Sequence, residues 1–275
     1  MKIRWSLFSK EAILFISAFA AGLFIAYRQN LQPVALVQPL VFDWQTLAAM
    51  VIFFFIFSFV LTRFRVVARI VFRVFLLLVV FTGGQLFFST FVPGPFDTIA
   101  ALLLIAGMLT IRNVLMHNIG VLLGIAGISA LLGLSITPSV GVVILALLSV
   151  YDIIAVYKTR HMVALAQGMM ESGAIFGLIV PTSWGLFFHS HRNIEPGEQF
   201  MILGSGDVGL PIMFAASLVS ISLANAFVVG SAAVIGLFVT HLLFVNQRQR
   251  QAMAALPPIA TASILGYALS LLIFK

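Results

Sequence analysis

The chain has 275 residues, 62% of them hydrophobic and only 8% charged, with a mean hydropathy of +1.17. So few charges cannot clothe a water-facing surface, which excludes a soluble domain of this size and makes lipid the solvent for most of the chain. The net charge of +7 is split into small basic clusters between apolar runs, which argues against a nucleic-acid partner, and the absence of cysteine excludes disulfides and thiolate chemistry.

The first apolar run, 11–27, follows Lys2, Arg4 and Lys10, is opened by Glu11 and closed by Arg28. No small-residue cleavage site follows it, so a retained helix is expected rather than a signal peptide. Further runs of about 20 apolar residues, the length that spans a bilayer, fall at 45–62, 67–92, 96–111, 114–135, 138–157, 200–221, 223–245 and 255–274. The expected fold is an all-α membrane protein of nine transmembrane helices forming a single membrane domain, 1–275. Spans one to six lie in 1–157, a connection in 158–199 and spans seven to nine in 200–275.

Lys and Arg alternate strongly between the two sides of these spans. One side receives Lys2, Arg4, Lys10, Arg63, Arg65, Arg69, Arg73, Arg112, Lys158, Arg160, Arg192, Arg248 and Arg250; the other receives Arg28 and Lys275. Basic residues favour the cytoplasmic face, so the N-terminus is expected in the cytoplasm and the C-terminus outside. The connection 158–199 contains two apolar stretches, Ala174–Val180 and Trp184–Phe188, separated by Pro181-Thr182-Ser183. Their length suits a short strand or a membrane-resting segment.

Of eight acidic residues, Glu11, Asp43, Asp97, Glu171, Glu195 and Glu198 fall at span ends or in loops, where carboxylates are expected to be solvated. Asp152 and Asp207 lie inside apolar spans, where ionisable residues are rare and usually functional. Asp152 sits six residues before Lys158, about 9 Å along a helix, and Asp207 nine residues after Glu198, about 13 Å. The two spans run in opposite directions, so both acids are expected in the cytoplasmic half of the bilayer. Two carboxylates held close in low dielectric share one proton. Such a pair can hydrolyse a peptide, and it can equally relay protons in a proton-coupled transporter or channel.

Asp207 ends the segment Leu203-Gly204-Ser205-Gly206-Asp207. Gly204 and Gly206 remove side-chain bulk and permit unusual torsions beside the acid, which would let an extended backbone approach it; they also suit close helix packing. Tyr151 offers a hydroxyl next to Asp152. The segment Ala254-Ala255-Leu256-Pro257-Pro258 opens the last span, and its prolines leave backbone groups that must find other partners near the two acids. His161, His189 and His191 with Glu195 lack the spacing of a helical zinc motif, so no metal site and no cofactor is expected.

Tyr151-Asp152, Gly204-Ser205-Gly206-Asp207 and Ala255-Leu256-Pro257, in that order on the sixth, seventh and ninth spans, resemble the YD, GxGD and PAL signatures of the presenilin and signal peptide peptidase family. Val150–Gly168 and Leu256–Leu269 look most like archaeal presenilin homologues. The resemblance implies an intramembrane aspartyl endopeptidase with Asp152 and Asp207 as the catalytic pair. It further implies that Gly204 and Gly206 shape the site and that Ala255, Leu256 and Pro257 support substrate binding. Ala254 stands where the family has the leading proline of PAL. The implied substrates are transmembrane segments of other proteins, in a prokaryotic, archaeal-type cell membrane, with no obligatory partner subunit. The connection 158–199 is then the candidate for a substrate-docking gate, with a strand around Ala174–Val180 pairing with an unwound substrate. The expected N-in orientation is that of presenilin; signal peptide peptidases are reversed. A proton-coupled transporter using the same two acids, or a helix-binding protein without activity, are the competing classes.

Overall fold

The computed structural model describes residues 3–31, 65–92, 94–158, 173–190, 199–247 and 253–274. Among the described residues there are eight α-helices: α1 (Trp5–Leu31), α2 (Arg65–Phe88), α3 (Phe96–Thr110), α4 (Val114–Leu134), α5 (Pro138–Ile153), α6 (Ser205–Ala216), α7 (Leu223–Val245) and α8 (Leu256–Ile273). Between α5 and α6 lie a π-helical turn (Ile154–Lys158), strand β1 (Gly177–Pro181), a 3-10 turn (Trp184–Phe188) and strand β2 (Phe200–Gly204). The expected span 45–62 lies outside the described residues.

Among the described residues, six helices are long and apolar enough to cross a membrane: Trp5–Leu31, Ile70–Phe88, Val114–Leu134, Pro138–Lys158, Leu223–Val245 and Leu256–Ile273. Phe96–Thr110 has 15 residues, about 22 Å of helix against a hydrocarbon core of about 30 Å. Large apolar side chains such as Leu103, Leu147, Leu265 and Leu272 are exposed on the outside of the bundle, as lipid-facing side chains are. The helix starts follow local chemistry. Asn113 accepts a hydrogen bond from the Met116 N–H at 2.8 Å, Thr137 caps α5 ahead of Pro138, and Ser222 caps α7.

α4 is the axis of the bundle, with 13 of its 21 residues buried and with α1, α2 and α6 packed around it. Being apolar all round, it is positioned by small residues rather than by an amphipathic face. A Cβ added at Gly127 would fall 2.5 Å from the Gly83 Cα, and one at Gly83 would fall 2.6 Å from the Leu123 carbonyl oxygen. The α2 and α4 backbones therefore touch. Gly127→Val is expected to force them apart at a cost of about 1–3 kcal/mol, read as a lowered thermal unfolding midpoint in detergent; an unchanged midpoint would refute this packing role.

Three expectations are corrected here. The span 200–221 is not one helix. Residues 200–204 are β2, α6 has only 12 residues, and turns follow it. Glu11 is not solvated either. α1 begins at Trp5, six residues before the expected start, so Lys10 and Glu11 lie inside the helix with their side chains buried. Glu11 Oε2 pairs with His241 Nδ1 of α7 at 2.7 Å. Lys10 Nζ donates to the carbonyl of Thr182 at 3.0 Å and lies 5.4 Å from the Trp184 ring. Asp97 is also buried and accepts from the Thr98 hydroxyl.

β1 and β2 are antiparallel in the register Gly177↔Gly204, Leu178↔Leu203, Ile179↔Ile202, Val180↔Met201 and Pro181↔Phe200. The flanking bonds Thr182 N–H to Gln199 C=O and Ser205 N–H to Phe176 C=O have the same parity as Leu178↔Leu203 and Val180↔Met201. Those pairs therefore exchange the ladder bonds, and Gly177, Ile179, Ile202 and Gly204 turn their peptide groups to the outer edges. On the β1 side the edge is covered. The Asn118 carboxamide bonds both the N–H and the C=O of Ile179 at 2.8 and 2.7 Å, and His117 Nε2 lies 3.3 Å from the Gly177 carbonyl. The strand expected around Ala174–Val180 thus exists, but its partners are β2 and α4, and it offers no edge to another chain.

Candidate active site

Asp152 and Asp207 reach the site from very different local structure. Asp152 is in the last α-helical turn of α5, immediately before the helix widens into the π turn at Ile154. Single π turns recur at functional sites because they free backbone groups and redirect side chains. Asp152 is 8% exposed, and among the described residues its Oδ2 is buried without a hydrogen-bond partner. Asp207 is in the first turn of α6, where the helix N-terminus favours an acid, and is half-buried.

A third element lies beside both carboxylates. The backbone N–H of Leu256, where α8 begins, interacts with both Asp152 and Asp207, and the Gly204 N–H interacts with Asp207. The two acids are near enough for the charge of Asp152 to act on Asp207. Since the Gly204 peptide lies on the outer edge of β2, that edge leads directly to the Asp207 carboxylate.

The Leu256 donor is supplied by the prolines of α8. Pro257 and Pro258 occupy the first turn of α8, where a missing N–H costs nothing. Residues 253–255 are irregular, and Ala255 starts the helix without a side-chain cap. The Thr240 hydroxyl donates to the Ala255 carbonyl at 3.3 Å, tying this turn to α7. Ala254 and Leu256 are buried, whereas Pro257 is half-buried.

The glycines act through space and not through torsion. Gly204 has φ −61 and ψ 146, ordinary extended backbone, and the described glycine with positive φ is Gly173. The expectation of unusual torsions is therefore corrected. A Cβ on Gly204 would lie 2.8 Å from Asp207 Oδ2, so this glycine makes room for the carboxylate. Among the described residues, a Cβ on Gly206 would meet nothing within 4 Å, so their packing leaves that side of Asp207 open. Tyr151 is 50% exposed and its side chain leaves the helix about 100° away from that of Asp152, towards the bundle exterior. His189 is exposed, while His161, His191 and Glu195 lie outside the described residues.

Sequence reasoning missed Leu256 as a backbone donor, Thr240, and the polar groups Asn118, Lys10, Glu11 and His241 that brace the surrounding elements. For Asn118 and His241 the signal was present: each is a polar side chain inside an apolar span.

Residues 11–275 match the family described as signal-peptide peptidase, presenilin aspartyl protease. Among curated proteins, none matches the chain. The fold is similar to that of a presenilin family intramembrane aspartate protease solved in two crystal forms. In the C222 form the TM-score is 0.59 at 22% identity, over 94% of both chains. In the P2 form it is again 0.59 at 22% identity, over 95% of this chain and 96% of that one. With the family matched over almost its full length, the chain belongs to the signal peptide peptidase and presenilin family of intramembrane aspartyl proteases.

Proposed function

We propose that Asp152 and Asp207 are the catalytic dyad of this protease and that it hydrolyses peptide bonds within membrane-spanning segments of other proteins. The observation that carries the reading is the nearness of the two carboxylates, close enough for the charge of Asp152 to act on Asp207, with the Leu256 N–H beside both. One proton is shared by the pair. The ionised carboxylate takes a proton from water, whose oxygen attacks the scissile carbonyl, while the protonated carboxylic acid donates its proton to the carbonyl oxygen. The resulting gem-diol collapses as the C–N bond breaks, with a proton delivered to the leaving amine and the dyad restored to its singly protonated state. The Leu256 N–H holds the two carboxylates in mutual reach through these transfers.

A helical peptide bond is shielded by its own hydrogen bonds, so the substrate must unwind. The outer edge of β2, with the Ile202 peptide groups turned outwards, supports docking of the unwound segment as an added strand running towards Asp207. Tyr151, on the exposed flank of Asp152, and the half-buried Pro257 border the approach. The nine-helix topology, a cytoplasmic N-terminus, residence in the cell membrane of a prokaryote and action without a partner subunit complete the reading; the basic-residue asymmetry supports the orientation.

The test is the purified chain in proteoliposomes with a single-span substrate. Cleavage within the span, located by mass spectrometry, is the expected result. Failure to cut, combined with a proton-dependent solute flux that either aspartate substitution abolishes, would replace this reading with a transporter. Binding of the substrate without cutting, unaffected by those substitutions, would replace it with a helix-binding protein.

A further inference from the structure

We infer that Asn118 is a positioning residue that fixes which peptide bond is cleaved, by locking the register of the β1–β2 sheet. The inference rests on the proposed docking of substrate along β2. It starts from a problem in the strand sequence. Strand register is normally specified by alternation, because a one-residue slip would turn the buried face outwards. β1 reads Gly-Leu-Ile-Val-Pro and all five residues are buried, and β2 reads Phe-Met-Ile-Leu-Gly, with no exposed residue. Apolar on both faces, the pair lacks an inside and an outside, and a slip by one or two residues would exchange one apolar side chain for another.

A polar contact of fixed position can supply what the pattern lacks. Asn118 is 1% exposed, and its carboxamide presents one acceptor and one donor in the arrangement of a peptide group. Oδ1 accepts from the Ile179 N–H at 2.8 Å and Nδ2 donates to the Ile179 C=O at 2.7 Å. A slip of β1 by one residue would turn the Ile179 peptide towards β2 and set outward-facing ladder groups of the wrong parity against α4, leaving the buried carboxamide unpaired. His117 repeats the contact two residues along at Gly177. α4 itself is held to the same connection, since the Val114 N–H bonds the His189 carbonyl at 3.0 Å and Asn113 bridges Ser190. Gly177 adds a steric mark, because a Cβ there would lie 2.6 Å from the Leu203 carbonyl oxygen. β1 is thus indexed to α4, β2 is indexed to β1, and Asp207 follows β2 by three residues. A substrate strand paired along β2 would then be indexed to Asp207.

The experiment compares the full chain with Asn118→Leu, which keeps the volume and removes both bonds, and Asn118→Asp, which keeps the acceptor but loses the donor when ionised. Each is reconstituted with the same single-span substrate, and the product termini are quantified by mass spectrometry. With Asn118→Leu, the share of products cut one bond away from the main site is expected to rise about tenfold, as befits the loss of a buried hydrogen bond; Asn118→Asp should show a smaller rise. The distribution is counted per cleavage event, so a smaller folded fraction lowers total product without altering it. If Asn118→Leu does not fold, Asn118→Asp decides. An unchanged distribution in the variants that cut, even with lower turnover, overturns the inference and leaves the proposed proteolysis standing. If the unsubstituted chain cuts nothing, the underlying functional reading fails instead.

Discussion

Replacing either Asp152 or Asp207 by asparagine will lower cleavage at least about 10³-fold, the scale on which a positioned general acid or base contributes, without unfolding the protein. Asparagine has nearly the shape of aspartate and retains an oxygen that can accept from the Leu256 N–H. What it lacks is a carboxyl group able to give up and take back a proton, and a proton must leave and return to the dyad in each turnover. Buried without a hydrogen bond at Oδ2, Asp152 costs the fold desolvation energy whenever it is charged. Neither the Asp152→Asn chain nor the Asp207→Asn chain should therefore unfold earlier than the native one. The check is paired: initial cleavage rates on a single-span substrate and thermal midpoints in detergent. Loss of cleavage with a preserved midpoint supports the dyad. Retention of more than about a tenth of the rate by either variant would be incompatible with that residue transferring the proton.

Much of this site was legible because membranes make polar residues informative. In an apolar chain, each acid within a span costs several kcal/mol and is retained where it has a use, so Asp152 and Asp207 stood out before any motif was considered. Depth counting from Lys158 and Glu198 set the expectation of a shared side, but its second leg assumed helical rise where residues 200–204 are a strand. What composition could not reveal was which backbone group they would share. The Leu256 N–H carries no mark in the sequence; it becomes a donor because Pro257 and Pro258 begin a helix there, and only three-dimensional packing decides what faces its first turn.

The failures follow from the same reasoning. A hydropathy window cannot separate β2 from α6, because residues 200–221 are apolar whether extended or helical. The strand becomes visible only through its partner, which lies across the connection at 177–181. Lys10 and Glu11 were read as an interfacial boundary because charges usually end a span. They are instead inside α1, each matched by a partner distant in sequence: Thr182 for Lys10 and His241 for Glu11. Long-range compensation of that kind is invisible to any local reading. Exposure is just as ambiguous in sequence: of the tyrosine and aspartate at 151 and 152, the helical turn buries only the aspartate.

The two glycines before Asp207 should separate sharply on substitution, although the motif treats them alike. Gly204→Ala places a methyl 2.8 Å from Asp207 Oδ2 and 3.6 Å from its carboxyl carbon, so the carboxylate must swing away from the Gly204 and Leu256 amides. Displacement of a reacting group by about 1 Å can cost about 10²-fold in rate, and a loss of that size in kcat is expected, with KM little changed. Gly206→Ala meets no atom of the described residues within 4 Å and replaces glycine in a helix, which on its own favours the fold by up to about 1 kcal/mol. Its penalty arises only when substrate backbone occupies the open flank, so it should raise KM while the thermal midpoint holds or climbs. Steady-state kinetics on one substrate, with the midpoints beside them, tells the two apart. A Gly204→Ala chain with native kcat would show that the carboxylate has room the structure denies it. A Gly206→Ala chain with native KM would move the substrate path to the other flank of Asp207, away from the exposed side of the first turn of α6.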